Sequence, residues 1–289
     1  MYKSIRKNSF AYLAISPFFI QFFVFQLVPT ISTFFLSLTN WNGMGKIGKL
    51  SVNNYIRMVT DSQFIDSLKN TIVYWLIGII GVLTFALMIA SLLNNELLRF
   101  KSFFKTATFL PYVCASLAMG LIFGMLFDEN AGLINEVIKY MGGNPQPWLT
   151  SSRLSRFPVH VLFIWRTIPW YVSIIYSGLL NIPFELYEAA TVDGASGLQK
   201  FTKITLPLLG NILFFCFVTL TVDTWKIFNE PYTLKGPGYS NTSIFQLMYE
   251  NAFKIFKMGY ASALGVILII ILTTISLIQF NVRRRQGEI

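Results

Sequence analysis

Six long apolar runs, separated by polar stretches, set the rhythm of this chain; they cover roughly residues 10–38, 70–93, 103–127, 157–180, 208–228 and 259–280. A helix needs about 20 residues to cross about 30 Å of hydrocarbon, and each run is long enough. Inside lipid every backbone N–H and C=O needs an internal partner, so runs of this kind are predicted to be helices. They are continuous rather than alternating, which argues against a β-barrel. The expected class is therefore all-α integral membrane, a single domain over 1–289 with six transmembrane helices. The polar segments at 39–69, 128–156 and 229–257 are too short for a separate catalytic domain, and residues 54–67 could form a short amphipathic helix. Gly120 and Gly124 in the third run, four residues apart, suit close helix packing.

The polar stretch between the fourth and fifth runs, 181–207, is the most patterned. Pro183 suits the first turn of a helix. Phe184, Tyr187 and Ala190 or Thr191 then share one face. Asp193-Gly194 predicts a turn, because glycine accepts positive φ. A second helix is predicted after Ser196, with Phe201, Ile204 and Leu208 on one stripe and Pro207 where the fifth run begins. The product is a helix–turn–helix joined directly to a membrane helix, presenting Glu185 and Glu188. Such an element can enter a groove on a soluble partner and pass a rigid push into a bundle.

Composition agrees with lipid: 54% of residues are hydrophobic and 12% charged, against about 25% charged in soluble domains. The net charge of +10 is spread over short flanks between apolar runs. That is the pattern of loops held at anionic headgroups, and it argues against a nucleic-acid partner. Lys3, Arg6 and Lys7 precede the first run and Arg283, Arg284 and Arg285 follow the last. An even number of spans and the positive-inside rule then put both termini in the cytoplasm. Arg99, Lys101 and Lys105 crowd the short loop between runs two and three on the same side, although the longer outer loops carry basic residues as well. The first run is too long for a signal-peptide h-region and is read as a retained span.

Candidate chemistry is sparse. Cys114 and Cys216 lie in apolar runs and His160 is the only histidine, so no disulfide framework, zinc spacing or multi-histidine metal site is predicted. Residues 43–49, Gly-Met-Gly-Lys-Ile-Gly-Lys, approach a phosphate-binding loop, but the position that needs a hydroxyl for Mg²⁺ is Leu50, and no strand precedes it and no helix follows. Arg166, Asp223 and Lys226 are ionisable groups in or near spans, where such groups usually face the bundle interior. Asp223 and Lys226 are spaced to pair on one helix face. Trp170, Tyr171 and Trp225, like Trp165 and Tyr176, could stack on sugar rings, although Trp and Tyr also form interfacial belts. A secondary transporter driven by an ion gradient would need carboxylates at mid-membrane; apart from Asp223 near an outer end, the spans hold none. A membrane-embedded enzyme would find no clustered catalytic groups.

Glu188-Ala189-Ala190, then Gly194, then Ile204-x-Leu206-Pro207 resembles the EAA loop of permease subunits of bacterial ABC importers. Asp193-Gly194-Ala195 and Phe201 resemble its carbohydrate-uptake branch, the maltose-type permeases. So do Asn54-Tyr55, Leu68-Lys69-Asn70-Thr71, Phe109-Leu110-Pro111, Gly132-Leu133-Ile134-Asn135, Trp148-Leu149, Gly178-Leu179-Leu180-x-Ile182-Pro183 and Ser262-Ala263-Leu264. One departure stands at Lys235-Gly236-Pro237, where the family often carries Gly-Gly-Pro. The resemblance implies a six-transmembrane-helix ABC importer permease fold with a cytoplasmic coupling helix, in the bacterial inner membrane. It implies oligosaccharide import by a heterodimer with a second permease, two ATPase subunits and an extracellular sugar-binding protein. ATP and Mg²⁺ would be held by the partner ATPase, and no cofactor by this non-catalytic chain. Residues 185–198 would dock into the ATPase, with Glu185, Glu188, Ala189, Ala190, Asp193, Gly194, Ala195, Leu206 and Pro207 as the coupling set. Arg166, Trp170, Tyr171, Asp223, Trp225 and Lys226 are the candidates for the substrate path.

Overall fold

The computed structural model describes residues 9–95 and 97–285; Lys3, Arg6 and Lys7 of the basic flank lie outside the described residues. Among these the chain is helical and without strands. Helices long and apolar enough to cross a membrane run over Tyr12–Ser37, Ser62–Asn94, Arg156–Leu180, Gly210–Thr233 and Met258–Arg285; the bent pair Lys101–Val113 and Ser116–Leu126 makes six if it counts as one broken span. Two compact units divide the chain: Met1–Asp61 with Met248–Ile270, and Ser62–Leu247 with Ile271–Ile289.

In the first unit the leading span changes pitch. Phe23–Leu27 forms a π turn between Ser9–Phe22 and Val28–Ser37. The wider turn ends two residues before Pro29, whose missing N–H disrupts regular helical bonding. A helix end leaves carbonyls without partners. Here Asn54, buried on the short helix Asn53–Thr60, donates its side-chain amide to the carbonyls of Ser37 and Thr39, at 2.8 Å each. The Tyr55 hydroxyl adds a bond to Ser37 Oγ at 2.8 Å. Tyr260 Oη donates to Asp61 at 2.6 Å, with the Arg57 guanidinium over its ring.

The second unit is a packed bundle. Helix Ser62–Asn94 buries Tyr74, Gly78, Val82, Ala86, Ala90 and Leu93, one stripe at near four-residue spacing. The small residues let neighbouring helices approach, and the close packing this permits is one of the forces that associate helices in lipid. A Cβ on Gly78 would stand 2.8 Å from Thr224 and 3.1 Å from Phe163. The facing helix Arg156–Leu180 contributes Val159, Leu162, Phe163, Tyr171, Val172, Ile175 and Leu179 to the same core. Gly120 lies against Thr233.

Two expectations need correction. The run 103–127 is not one continuous helix, since its halves meet at 94°. Cys114 and Ala115 between them take extended ψ values of 142° and 123°. Pro111 loosens the turn before the elbow by removing an N–H and crowding the carbonyl four residues back. Pro111 itself is buried, whereas the elbow is only partly covered, with Cys114 half-buried and Val113 and Ala115 exposed. Second, the amphipathic helix expected over 54–67 stops at Thr60. Asp61 is extended, and the long helix of the second span already begins at Ser62.

Candidate functional site

The segment after Arg156–Leu180 folds as two helical arms. Glu185–Val192 forms the first, with Glu185 and Glu188 in its opening turn. Its end is fixed by backbone bonds. Gly194 N–H donates to the Thr191 carbonyl at 3.0 Å and Ala195 N–H to the Ala190 carbonyl at 2.8 Å. This pair is a Schellman closure, which requires a left-handed residue after the cap; Gly194 supplies it at φ +73°. The Asp193-Gly194-Ala195 spacing therefore has a backbone cause. Ser196 starts the second arm with a capping box: its N–H donates to Gln199 Oε1 at 2.7 Å, and Gln199 N–H returns to Ser196 Oγ at 3.3 Å. That arm runs as Gly197–Lys200, a π turn over Phe201–Thr205, and Leu206–Leu208 with Pro207 in its first turn.

Side chains tie the arms together. Tyr187 Oη and Thr205 Oγ1 are 2.9 Å apart, and Lys200 Nζ donates to Thr191 Oγ1 at 2.7 Å. A cavity of about 600 Å³ lies beneath, between Tyr187, Phe201 and Thr205 and the end of the second span at Ser91 and Asn94. The outer surface is open. No residue of Glu185–Val192 is buried. Glu185, Glu188, Ala189, Asp193 and Pro207 are exposed, and Ala190, Ala195 and Leu206 are partly covered. Val192 at 88% and Leu198 at 73% exposure put apolar side chains in the open beside these carboxylates.

A second constellation lies away from this loop, between the middle of helix Arg156–Leu180 and the far end of helix Gly210–Trp225. Arg166, Trp170, Tyr171, Asp223 and Lys226 line one cavity of about 400 Å³. Helix Arg156–Leu180 supplies the first three; Asp223 comes from helix Gly210–Trp225, and Lys226 from its cap. Tyr112 closes one wall and stacks on Trp170, with centroids 5.7 Å apart and 16° between planes. The expected Asp223–Lys226 pair is replaced by another bond: Tyr171 Oη donates to Asp223 Oδ2 at 2.8 Å. Trp225 does not join the cavity; it is buried, with its ring 6.2 Å from that of Trp75.

Sequence reasoning missed Glu230. This buried carboxylate sits on the short helix Asn229–Thr233, in the same cavity, with Oε1 3.6 Å from Arg166 Nη1. The signal available was an acidic residue two positions past the presumed end of the fifth run, beside Pro231. Two other features have local roles. His160 Nδ1 lies 2.7 Å from the Arg156 carbonyl in its own helix, and its ring packs on Tyr74. The stretch 43–49 is irregular backbone with positive φ at Gly43 and Gly45, without the strand and helix that a phosphate-binding loop requires.

Comparisons with known proteins agree with this architecture. The family described as "Binding-protein-dependent transport system inner membrane component" matches residues 82–287. The chain is 35% identical over 287 residues to the probable ABC transporter permease protein YesP of Bacillus subtilis, covering 96% of this chain and 92% of that one. It is 31% identical over 279 residues to the arabinooligosaccharides transport system permease protein AraP of the same organism, covering 95% and 88%. Its fold is similar to a chain of a bacterial alginate ABC transporter crystallised with an alginate pentasaccharide-bound periplasmic protein. The TM-score is 0.84 at 21% identity, over 99% of this chain and 97% of the other.

Proposed function

The chain belongs to the family of binding-protein-dependent transport system inner membrane components, and from that premise we propose that it is one of two permease subunits that together pass a saccharide across the bacterial cytoplasmic membrane. On this reading an extracellular binding protein delivers the sugar, two ATPase subunits holding ATP and Mg²⁺ power the step, and both termini lie in the cytoplasm. Relatives named for arabinooligosaccharides and lactose support the saccharide class.

The observation that carries the coupling role is the pairing of rigidity with exposure in Glu185–Val192. A surface helix that served only its own fold would bury an apolar face. Here no residue is fully buried and only Tyr187 and Ala190 are partly covered, yet the helix end is closed by the Gly194 turn and the arms are braced by Tyr187 and Lys200. Such a piece transmits displacement without deforming. Its open carboxylates and apolar tips offer a mixed contact to a soluble partner. Closing of the ATPases on ATP would push the two arms, and through Leu206-Pro207 the fifth span. The shift between inward and outward states is limited by how differently ATP binds the two.

The test uses the reconstituted four-subunit complex. Glu188→Lys and Gly194→Pro are each expected to reduce sugar uptake at least tenfold and abolish stimulation of the ATPase by loaded binding protein, with unchanged membrane insertion. Unchanged uptake in either variant overturns the coupling role. Transport by the chain alone on a proton or sodium gradient overturns the importer reading.

A further inference from the structure

We propose that the cavity around Arg166 and Glu230 admits uncharged saccharide units and turns away acidic ones, an inference that rests on the saccharide reading above and adds to it the charge class of the cargo. Four formally charged side chains line this cavity, Arg166 and Lys226 against Asp223 and Glu230. Their formal charges cancel, and two of the four are already engaged with each other deep in the wall. Arg166 and Glu230 face each other at 3.6 Å with only 23% and 9% of their side chains exposed. Asp223, at the exposed side, takes its hydrogen bond from Tyr171.

This arrangement treats the two ligand classes differently. A carboxylate or sulfonate on an incoming sugar gains from Arg166 only by drawing the guanidinium away from Glu230. That leaves Glu230 buried without a counter-charge, a costly state in a poorly solvated site. Asp223 adds a second negative charge on the exposed side and offsets the Lys226 ammonium there, so the cavity holds no net positive charge to draw an anion in. A neutral sugar meets no such conflict. Its hydroxyls both donate and accept, so they can bond to guanidinium and carboxylate together while the pair stays in place. The stacked rings of Tyr112 and Trp170, 43% and 46% exposed, offer an apolar face with polar edges that suits the C–H face of a sugar ring.

The assembled permease–ATPase complex, without binding protein, is titrated with neutral trisaccharides (gluco-, galacto-, arabino- and xylo-configured) and with tri-galacturonate and tri-glucuronate. Binding is followed by tryptophan fluorescence and calorimetry. At least one neutral trisaccharide is expected to bind ten-fold or more tightly than either uronate. Glu230→Gln, which leaves Arg166 uncompensated, is expected to shift the ratio at least tenfold toward the uronates. Asp223→Asn, on the exposed side where folding is less at risk, is expected to shift it several-fold in the same direction. Equal or tighter binding of uronates by the unaltered complex overturns the proposal, as does an unmoved ratio in both variants. If no saccharide of either class binds, and none raises ATPase activity with binding protein present, the saccharide reading itself falls.

Discussion

At one end of the larger unit, Asn70, Asn135 and Asn241 are buried side chains that tie loop backbone together; at the other, Glu185–Val192 buries none of its residues. Asn70 donates to the carbonyls of Tyr239 and Thr242, at 2.8 and 3.0 Å. Asn135 donates to the carbonyls of Glu129 and Gln146, and accepts from Gln146 N–H and the Trp148 indole, all within 3.0 Å. Asn241 bonds Leu234, Ser155 and Gly236. These asparagines do the work of missing secondary structure, since irregular backbone that is buried must still find partners. The segment 185–200 closes its turn through the Gly194 and Ala195 N–H groups and the Ser196 cap, and Glu185 and Glu188 are left exposed. Both ends carry short, recognisable motifs, but only burial tells which motif holds the fold and which is left open on the surface.

The sharpest way to break this contrast is to truncate one residue at each end. Asn135→Ala strands the Gln146 N–H and the Trp148 indole N–H in a closed loop. With a cost of about 1–3 kcal/mol for each orphaned group, a loss near 3 kcal/mol is expected. Glu188→Ala removes a side chain that forms no hydrogen bond or ion pair among the described residues, and is expected to stay within about 0.5 kcal/mol. Unfolding midpoints in detergent decide between them. Comparable losses in both variants would dissolve the distinction. Next in size is Gly194→Val. The left-handed conformation at φ +73° costs a side-chain-bearing residue roughly 1–2 kcal/mol. The effect should appear as protease nicking within 185–200 while the midpoint of the bundle holds. Ser196→Ala removes half of the capping box and is expected to cost about 1 kcal/mol, read as faster amide exchange in Gly197–Lys200 alone. Exchange quickening across the bundle would show that the loop is not the separable element described.

The same contrast explains what was legible in the sequence. Apolar run length revealed the spans because lipid leaves the backbone one economical solution. The arms of 181–207 were legible because their signals are local: Pro183, Asp193-Gly194 and Ser196 act within a few residues of themselves. The elbow in the third span was not, since hydropathy is blind to the backbone angles of Cys114 and Ala115. Helical spacing suggested a partner for Asp223 three residues on, but the bond goes to Tyr171, 52 residues away in sequence. Glu230 was passed over because it lies beyond the apolar run, and its importance depends on Arg166 in another helix. Asn70 and Asn135 stood inside motifs that could be matched and Asn241 in none, yet the carbonyl of Thr242 that Asn70 bonds lies 172 residues distant. No local pattern encodes that.

The smallest expected effect lies in the Asp128 turn and separates a carboxylate used by its own backbone from one left open. Asp128 Oδ1 accepts from Ala131 N–H at 2.9 Å and Asn130 N–H at 3.0 Å. These bonds, with Ala131 the larger influence, hold its carboxyl below the usual range. A depressed folded value means that the stabilisation is fully present above the ordinary carboxylate pKa, about 3.9, and is lost as pH falls through the lower folded value. Amide protection at Asn130 and Ala131, corrected for intrinsic exchange, should therefore be flat from pH 7 to pH 5 and drop only below the ordinary carboxylate range. In Asp128→Asn, whose acceptor carries no charge, protection should be weaker and flat throughout. Loss of protection between pH 7 and pH 5 in the unaltered protein would mean that the two N–H groups do not favour the ionised carboxylate, and that Asp128 is as unengaged by its own backbone as Glu188.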